Sequence, residues 1–141
     1  MDPAFWAKMH GATTHFPIAM IFGACLCDTA ALCCWQKPAS GPLRTAGRYA
    51  AVIAALGSIP AVASGLAMTR GDMLGHGDLR WHHLFVWPAF ALLVAAAVWR
   101  SLVREQLSRR GYAGYVGVIC VVTGLIAATG YWGGELLQAF P

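Results

Sequence analysis

The chain has 141 residues, 58% hydrophobic and 11% charged, with a mean hydropathy of +0.58 and a formal net charge of +4. A soluble domain carries roughly 25% charged residues, so this composition excludes an ordinary water-soluble fold and predicts an all-α integral membrane protein. The positive balance calls for no nucleic acid, because Lys and Arg cluster where membrane topology puts them.

Four apolar stretches follow in chain order, at about 15–35, 49–68, 84–102 and 112–132. Each is near the ~20 residues a helix needs to cross about 30 Å of hydrocarbon, so one four-helix bundle uses up the whole chain. Met1 to His15 has little positive charge, contains Asp2 and leads into a stretch long enough to span. The first span is therefore expected to be kept, with no cleaved signal peptide.

The first span holds Cys25, Cys27, Cys33 and Cys34 in its second half, with Cys120 in the fourth span. The spacing matches no zinc or iron-sulfur pattern, and these thiols read as small packing residues. Asp28 is the acidic residue deepest within a span, where a carboxylate costs at least ~2.5 kcal/mol on insertion scales unless paired, protonated or wet. A proton or quinone role and a structural bond to a neighbouring helix, or to an arginine such as Arg48, both remain open for it.

The first loop, Gln36 to Arg48, contains Pro38, Gly41 and Pro42 and is a short connector. The second span is rich in small residues (Gly57, Ser58, Ser64, Gly65) and carries Pro60, which removes one backbone donor. Small residues let helices approach closely and also leave room for a flat cofactor. The second loop, TRGDMLGHGDLRW from Thr69 to Trp81, is the longest polar stretch and has the makings of a cap over the helix ends.

Orientation follows from the basic residues. Lys37, Arg44 and Arg48 lie in the first loop and Arg100, Arg104, Arg109 and Arg110 in the third, against Lys8, Arg70 and Arg80 on the other side. Seven against three puts both termini in the periplasm of a bacterial inner membrane. Aromatic residues mark the two interfaces: Trp6, Trp81, Trp87, Tyr131 and Trp132 outside, Trp35, Tyr49, Trp99, Tyr112 and Tyr115 inside.

All five histidines, His10, His15, His76, His82 and His83, fall at the outer side. Spans one and three run in the same direction, so His15 and His82 or His83 lie at similar depth, the arrangement by which a bundle holds a b-type haem between two imidazoles. His15 and His83 are the first choice of axial ligands, with His10 and His82 as a second pair or supporting groups. Arg80 and Trp81 are placed to meet the propionates. No C-x-x-C-H is present, so the expected cofactor is non-covalent haem b, one or two. Zinc or copper is the alternative metal, since imidazole suits both, with His76, Asp72 and Asp78 as further donors; the plain alternative is that interfacial histidines bind nothing. Glu135, just past the fourth span, is a further proton or quinone candidate near the histidines. Spans one and three each begin with histidine and carry an early proline (His15, Pro17; His83, Pro88), a similarity between the halves too faint to define a repeat.

H-x-x-x-x-HFPIAM at His10 to Met20, LRWHHLFVW at Leu79 to Trp87 and GYWGGELL at Gly130 to Leu137 together resemble a bacterial membrane family catalogued as domain of unknown function twenty-two thirty-one. The resemblance covers essentially the whole chain and rests on His10, His15, Phe16, Pro17, His82 or His83, Gly133, Gly134 and Glu135. Gly11 departs from it, standing where that family often has proline. The resemblance implies a four-helix membrane domain and, because some members appear beside cytochrome c or iron-sulfur modules, redox work. The expected function is thus a b-type cytochrome subunit passing electrons between the quinone pool and a periplasmic cytochrome c or iron-sulfur partner, in contact with lipid and other membrane subunits. A subunit handling metal ions or small solutes, and a structural anchor without cofactor, are the alternatives.

Overall fold

The computed structural model describes residues 3–103 and 106–138, so Arg104 lies outside the described residues. It is built of four helices, α1 (Pro3–Cys33), α2 (Ser40–Met68), α3 (Asp78–Val103) and α4 (Arg109–Gln138), with no strand among the described residues. All four are long and apolar enough to cross a membrane. Each starts before the apolar stretch that announced it, because backbone hydrogen bonding extends beyond the apolar side chains, while α1 ends at Cys33, two residues short of its stretch, and α2 ends with its own at Met68. The largest extension is at the start of α1, which draws His10 and His15 onto one helix.

Helix starts and turns have local causes. The Ser108 hydroxyl accepts the Gly111 amide at 3.2 Å at the entry to α4. Ser40, buried at the first turn of α2, reaches back to the Ala31 carbonyl at 3.1 Å and ties α2 to the end of α1. Between α2 and α3 the chain reverses through Arg70, Gly71, Gly75 and Gly77, all with positive φ. Asp72 organises this turn by accepting the amides of Leu74 at 3.3 Å and Gly75 at 2.8 Å. A Cβ at Gly75 would lie 2.7 Å from the Leu79 carbonyl carbon, so the close approach itself demands glycine. Trp87 donates its indole N–H to the Met73 carbonyl at 2.8 Å, which folds the turn down over α3.

α1 packs most extensively on α2 and α3 on α4, with lesser contacts between α2 and α3 and between α1 and α4. α1 and α3 therefore occupy one diagonal of the bundle and α2 and α4 the other. The core is narrow and built of small side chains, with Ile21, Ala24, Ala51, Ala54, Leu93 and Ala96 buried along its length.

The two hairpins are built alike. His10, Pro17, Ile21, Ala24 and Asp28 stand at the same intervals along α1 as His82, Ala89, Leu93, Ala96 and Arg100 along α3, and from Pro17 and Ala89 onward every member of both sets is buried. Gly47, Ala51, Ala54 and Gly65 of α2 correspond in the same way to Tyr115, Ile119, Val122 and Gly133 of α4. An approximate twofold relation along the bundle follows from these registers and from the pattern of helix contacts. The likeness of the halves in spacing and burial runs in the register His10 to His82 and not His15 to His83. The proline spacing concealed it.

Candidate functional site

At the end carrying both described termini, His10 and His82 occupy equivalent places on the diagonal helices. The His10 Nδ1 lies 2.9 Å from the Ala61 carbonyl oxygen of α2, with the Ser64 hydroxyl at 3.4 Å. The His82 Nδ1 lies 3.0 Å from the Thr129 carbonyl oxygen of α4. A carbonyl only accepts, so in both rings Nδ1 is the donor, and in the neutral imidazole this leaves the lone pair on Nε2.

In each half the residue four positions beyond the accepting carbonyl is glycine. A helical side chain leans over the preceding turn and would cover that carbonyl. A Cβ at Gly65 would stand 3.1 Å from Cε1 and 3.2 Å from Nδ1 of His10; one at Gly133 would stand 3.4 Å from the same atoms of His82. The glycines admit the imidazoles.

The other candidates separate around this pair. His83 is buried beside His82, ring centroids 5.9 Å apart, and also packs near Trp87 at 6.1 Å. His15, five residues from His10 and about 140° further round α1, is exposed, as is Phe16. The structure does not bring His15 together with His83. Trp81 stacks on Trp132 at 5.8 Å, and Arg80 is exposed at the same end. Glu135 is half-buried two residues beyond Gly133. His76 is almost wholly exposed and sits 3.2 Å from Asp72 in the turn. The amides of Gly75 and Leu74, together with His76, hold the Asp72 carboxyl below its ordinary value of 3.8. Among the described residues no three His, Cys, Asp or Glu side chains gather as a metal-ion site.

The opposite end holds a second polar cluster. Asp28 is fully buried, and the Tyr112 hydroxyl donates to its Oδ1 at 2.5 Å. Its carboxylate rests on Gly47 so closely that a methyl group there would overlap it. Arg100, also fully buried, has its guanidinium carbon 5.5 Å from the Tyr112 ring and 5.6 Å from the Tyr115 ring, and donates to the Arg44 carbonyl at 3.5 Å. Arg44 lies over Trp35 at 4.6 Å and over Tyr112 at 5.0 Å. The expected bond from Asp28 to another helix exists, through Tyr112 of α4; Arg48 instead lies over Tyr49 at 5.0 Å.

Tyr112 and Tyr115 are therefore not interfacial aromatics but buried members of this cluster. Arg100, read from sequence only as a topology marker, is a core residue. The signal that would have found it is its interval: it stands as far beyond His82 as Asp28 stands beyond His10. Of the cysteines, Cys25 and Cys120 face each other between α1 and α4 with sulfurs 3.7 Å apart.

Residues 7–140 match the family described as Predicted membrane protein (DUF2231), and the chain belongs to it. No match is found among curated proteins or solved structures.

Proposed function

We propose that this member of the DUF2231 membrane family is a small b-type cytochrome subunit of a bacterial inner membrane, with haem held between His10 and His82, carrying electrons between the quinone pool and a periplasmic redox partner. The observation that carries the reading is the matched pair of imidazoles on diagonal helices, each with its proton fixed on Nδ1 by a backbone carbonyl. That second bond is what ligating histidines characteristically make: it sets the tautomer, orients the ring and raises the basicity of Nε2. A bis-imidazole haem needs two protein ligands, whereas structural zinc takes four and catalytic zinc three, and the described residues offer no such cluster.

Bound haem supplies one-electron chemistry, its iron alternating between ferric and ferrous. The protein's part is positional. Gly65 and Gly133 admit the rings, Ser64 and the two carbonyls hold them, His83 and the Trp81–Trp132 stack wall the site, and Arg80 offers a cation for a propionate. Asp28 stands eighteen residues along α1 from His10, about 27 Å away, and takes no part at that distance.

The test is a reduced-minus-oxidised spectrum of detergent-solubilised protein produced with an ample haem supply, for the parent chain and for His10→Ala, His82→Ala and His15→Ala. The expected result is bis-imidazole bands in the parent and His15→Ala and their loss in the other two. A colourless parent refutes the cytochrome reading. Full haem retention in His10→Ala and His82→Ala refutes the ligand pair while leaving haem in place.

A further inference from the structure

The end of the bundle that holds Asp28 also carries a cavity of about 270 Å³, lined by Cys33, Cys34, Trp35, Gln36 and Lys37 from the close of α1 and the turn after it, and by Arg109 from the start of α4. Two cations from opposite halves of the chain thus share one space, and no acidic side chain is among those lining it. Asp28, the acidic residue nearest to it along α1, is fully buried and accepts the Tyr112 hydroxyl instead. A cleft lined by one sign of charge between low-dielectric walls focuses its field and concentrates ions of the other sign. Arg109 is also the first residue of a 30-residue helix, whose opening amides add partial positive charge on the same side. Trp35 is held in place from behind, with Arg44 over its ring at 4.6 Å and the Tyr112 ring at 5.3 Å.

Depth in the membrane narrows the anion. α1 and α4 have 31 and 30 residues, about 45 Å of helix, against ~40–45 Å for a bilayer with its headgroups. The end of α1 and the start of α4 therefore stand at the level of lipid phosphates. The lining suits that level: two thiols and an indole to meet the glycerol, a guanidinium and an ammonium to meet the phosphate oxygens. We propose that this cavity binds a phosphate group, carried by an anionic phospholipid whose headgroup enters between the α1–α2 turn and the start of α4. Basic pockets between membrane helices take such headgroups through the same combination of charge and depth. A zwitterionic headgroup is disfavoured, because its own cation would meet Lys37 and Arg109 with like charge. The cavity lies at the far end of the bundle from His10 and His82, so it stands or falls separately from the cytochrome reading.

The test titrates the full chain in neutral detergent with phosphatidylglycerol, phosphatidylcholine and inorganic phosphate, reading bound lipid by native mass spectrometry. Wild type is expected to hold phosphatidylglycerol more tightly than phosphatidylcholine by about tenfold or more, as two cations near a lipid surface supply. Lys37 and Arg109 are exposed, so their variants are expected to fold. Lys37→Gln with Arg109→Gln should abolish the preference, and Lys37→Arg with Arg109→Lys should keep it. Arg48→Gln with Arg110→Gln removes the same charge without touching the lining, and should also keep it. Equal loss in the two neutralising pairs overturns the proposal, reducing it to attraction by a basic surface, and so does a wild type without preference. Inorganic phosphate is expected not to compete; if it displaces the lipid, the lipid is overturned as the source of the phosphate group.

Discussion

Replacing Gly47 by alanine adds one methyl group at the tightest point of the bundle. Its Cβ would stand 2.7 Å from Asp28 Oδ2 and nearer still to the rest of the carboxylate, which is fully buried and bonded to Tyr112. Overpacking of a filled core costs about 1–3 kcal/mol. If the carboxylate yields, the Tyr112 bond to a charged acceptor goes with it, a further 1.5–3 kcal/mol or so, while alanine returns roughly 1 kcal/mol of helix propensity. The expected net loss is about 2–4 kcal/mol. The assay is reversible unfolding in mixed micelles titrated with a denaturing detergent, with Gly23→Ala as control, since nothing lies within 4 Å of a Cβ there. The control is expected to be neutral or slightly stabilising. In an Asp28→Ala background the cost of Gly47→Ala should nearly vanish, the obstructing group being gone. Equal stability of Gly47→Ala and Gly23→Ala would refute the reasoning, and so would an undiminished cost in the Asp28→Ala background.

Gly65→Ala should disturb the histidine end more than Gly133→Ala, because its methyl would meet His10 at 3.1 Å where the other meets His82 at 3.4 Å; nitrogen NMR of the imidazoles checks this as a larger Nδ1 shift in the first variant. Asp72 has a lowered pKa in the folded turn, so its contribution is complete above the ordinary value of 3.8 and is lost as pH falls through the folded value below it. Hydrogen exchange at the Gly75 amide should accordingly lose its extra protection only in that acid range, and Asp72→Asn should remove the pH dependence. Cys25 and Cys120, with sulfurs 3.7 Å apart, should cross-link α1 to α4 under a membrane-permeant oxidant, detected as a bridged peptide by mass spectrometry; bridging through Cys27 instead would contradict the helix facing.

Composition and apolar runs made the four helices legible, because a chain with so few charges has to satisfy its backbone within helices once it enters lipid. Helix ends were less legible: hydropathy reports where side chains meet hydrocarbon, not where backbone bonding stops, and so α1 began well before its apolar run. Histidine clustering at one end was plain in the sequence. Which histidines face inward was not, because the answer turns on helix phase, and His10 and His15 differ by about 140° once α1 is known to be continuous. The Asp28–Tyr112–Arg100 cluster escaped for a different reason. Arg and Tyr near a span end also serve as topology markers and interfacial anchors, and only packing distinguishes those roles from burial.

The likeness of the two hairpins also bears on how the chain enters its membrane. Each hairpin carries basic residues at the end where its two helices connect, Lys37, Arg44 and Arg48 in one, Arg109 and Arg110 in the other, so by the positive-inside tendency each holds the same orientation signal by itself. Insertion then needs no instruction passed from the first pair of helices to the second. Either hairpin taken alone thus offers the insertion machinery the same charge asymmetry between its turn and its free ends.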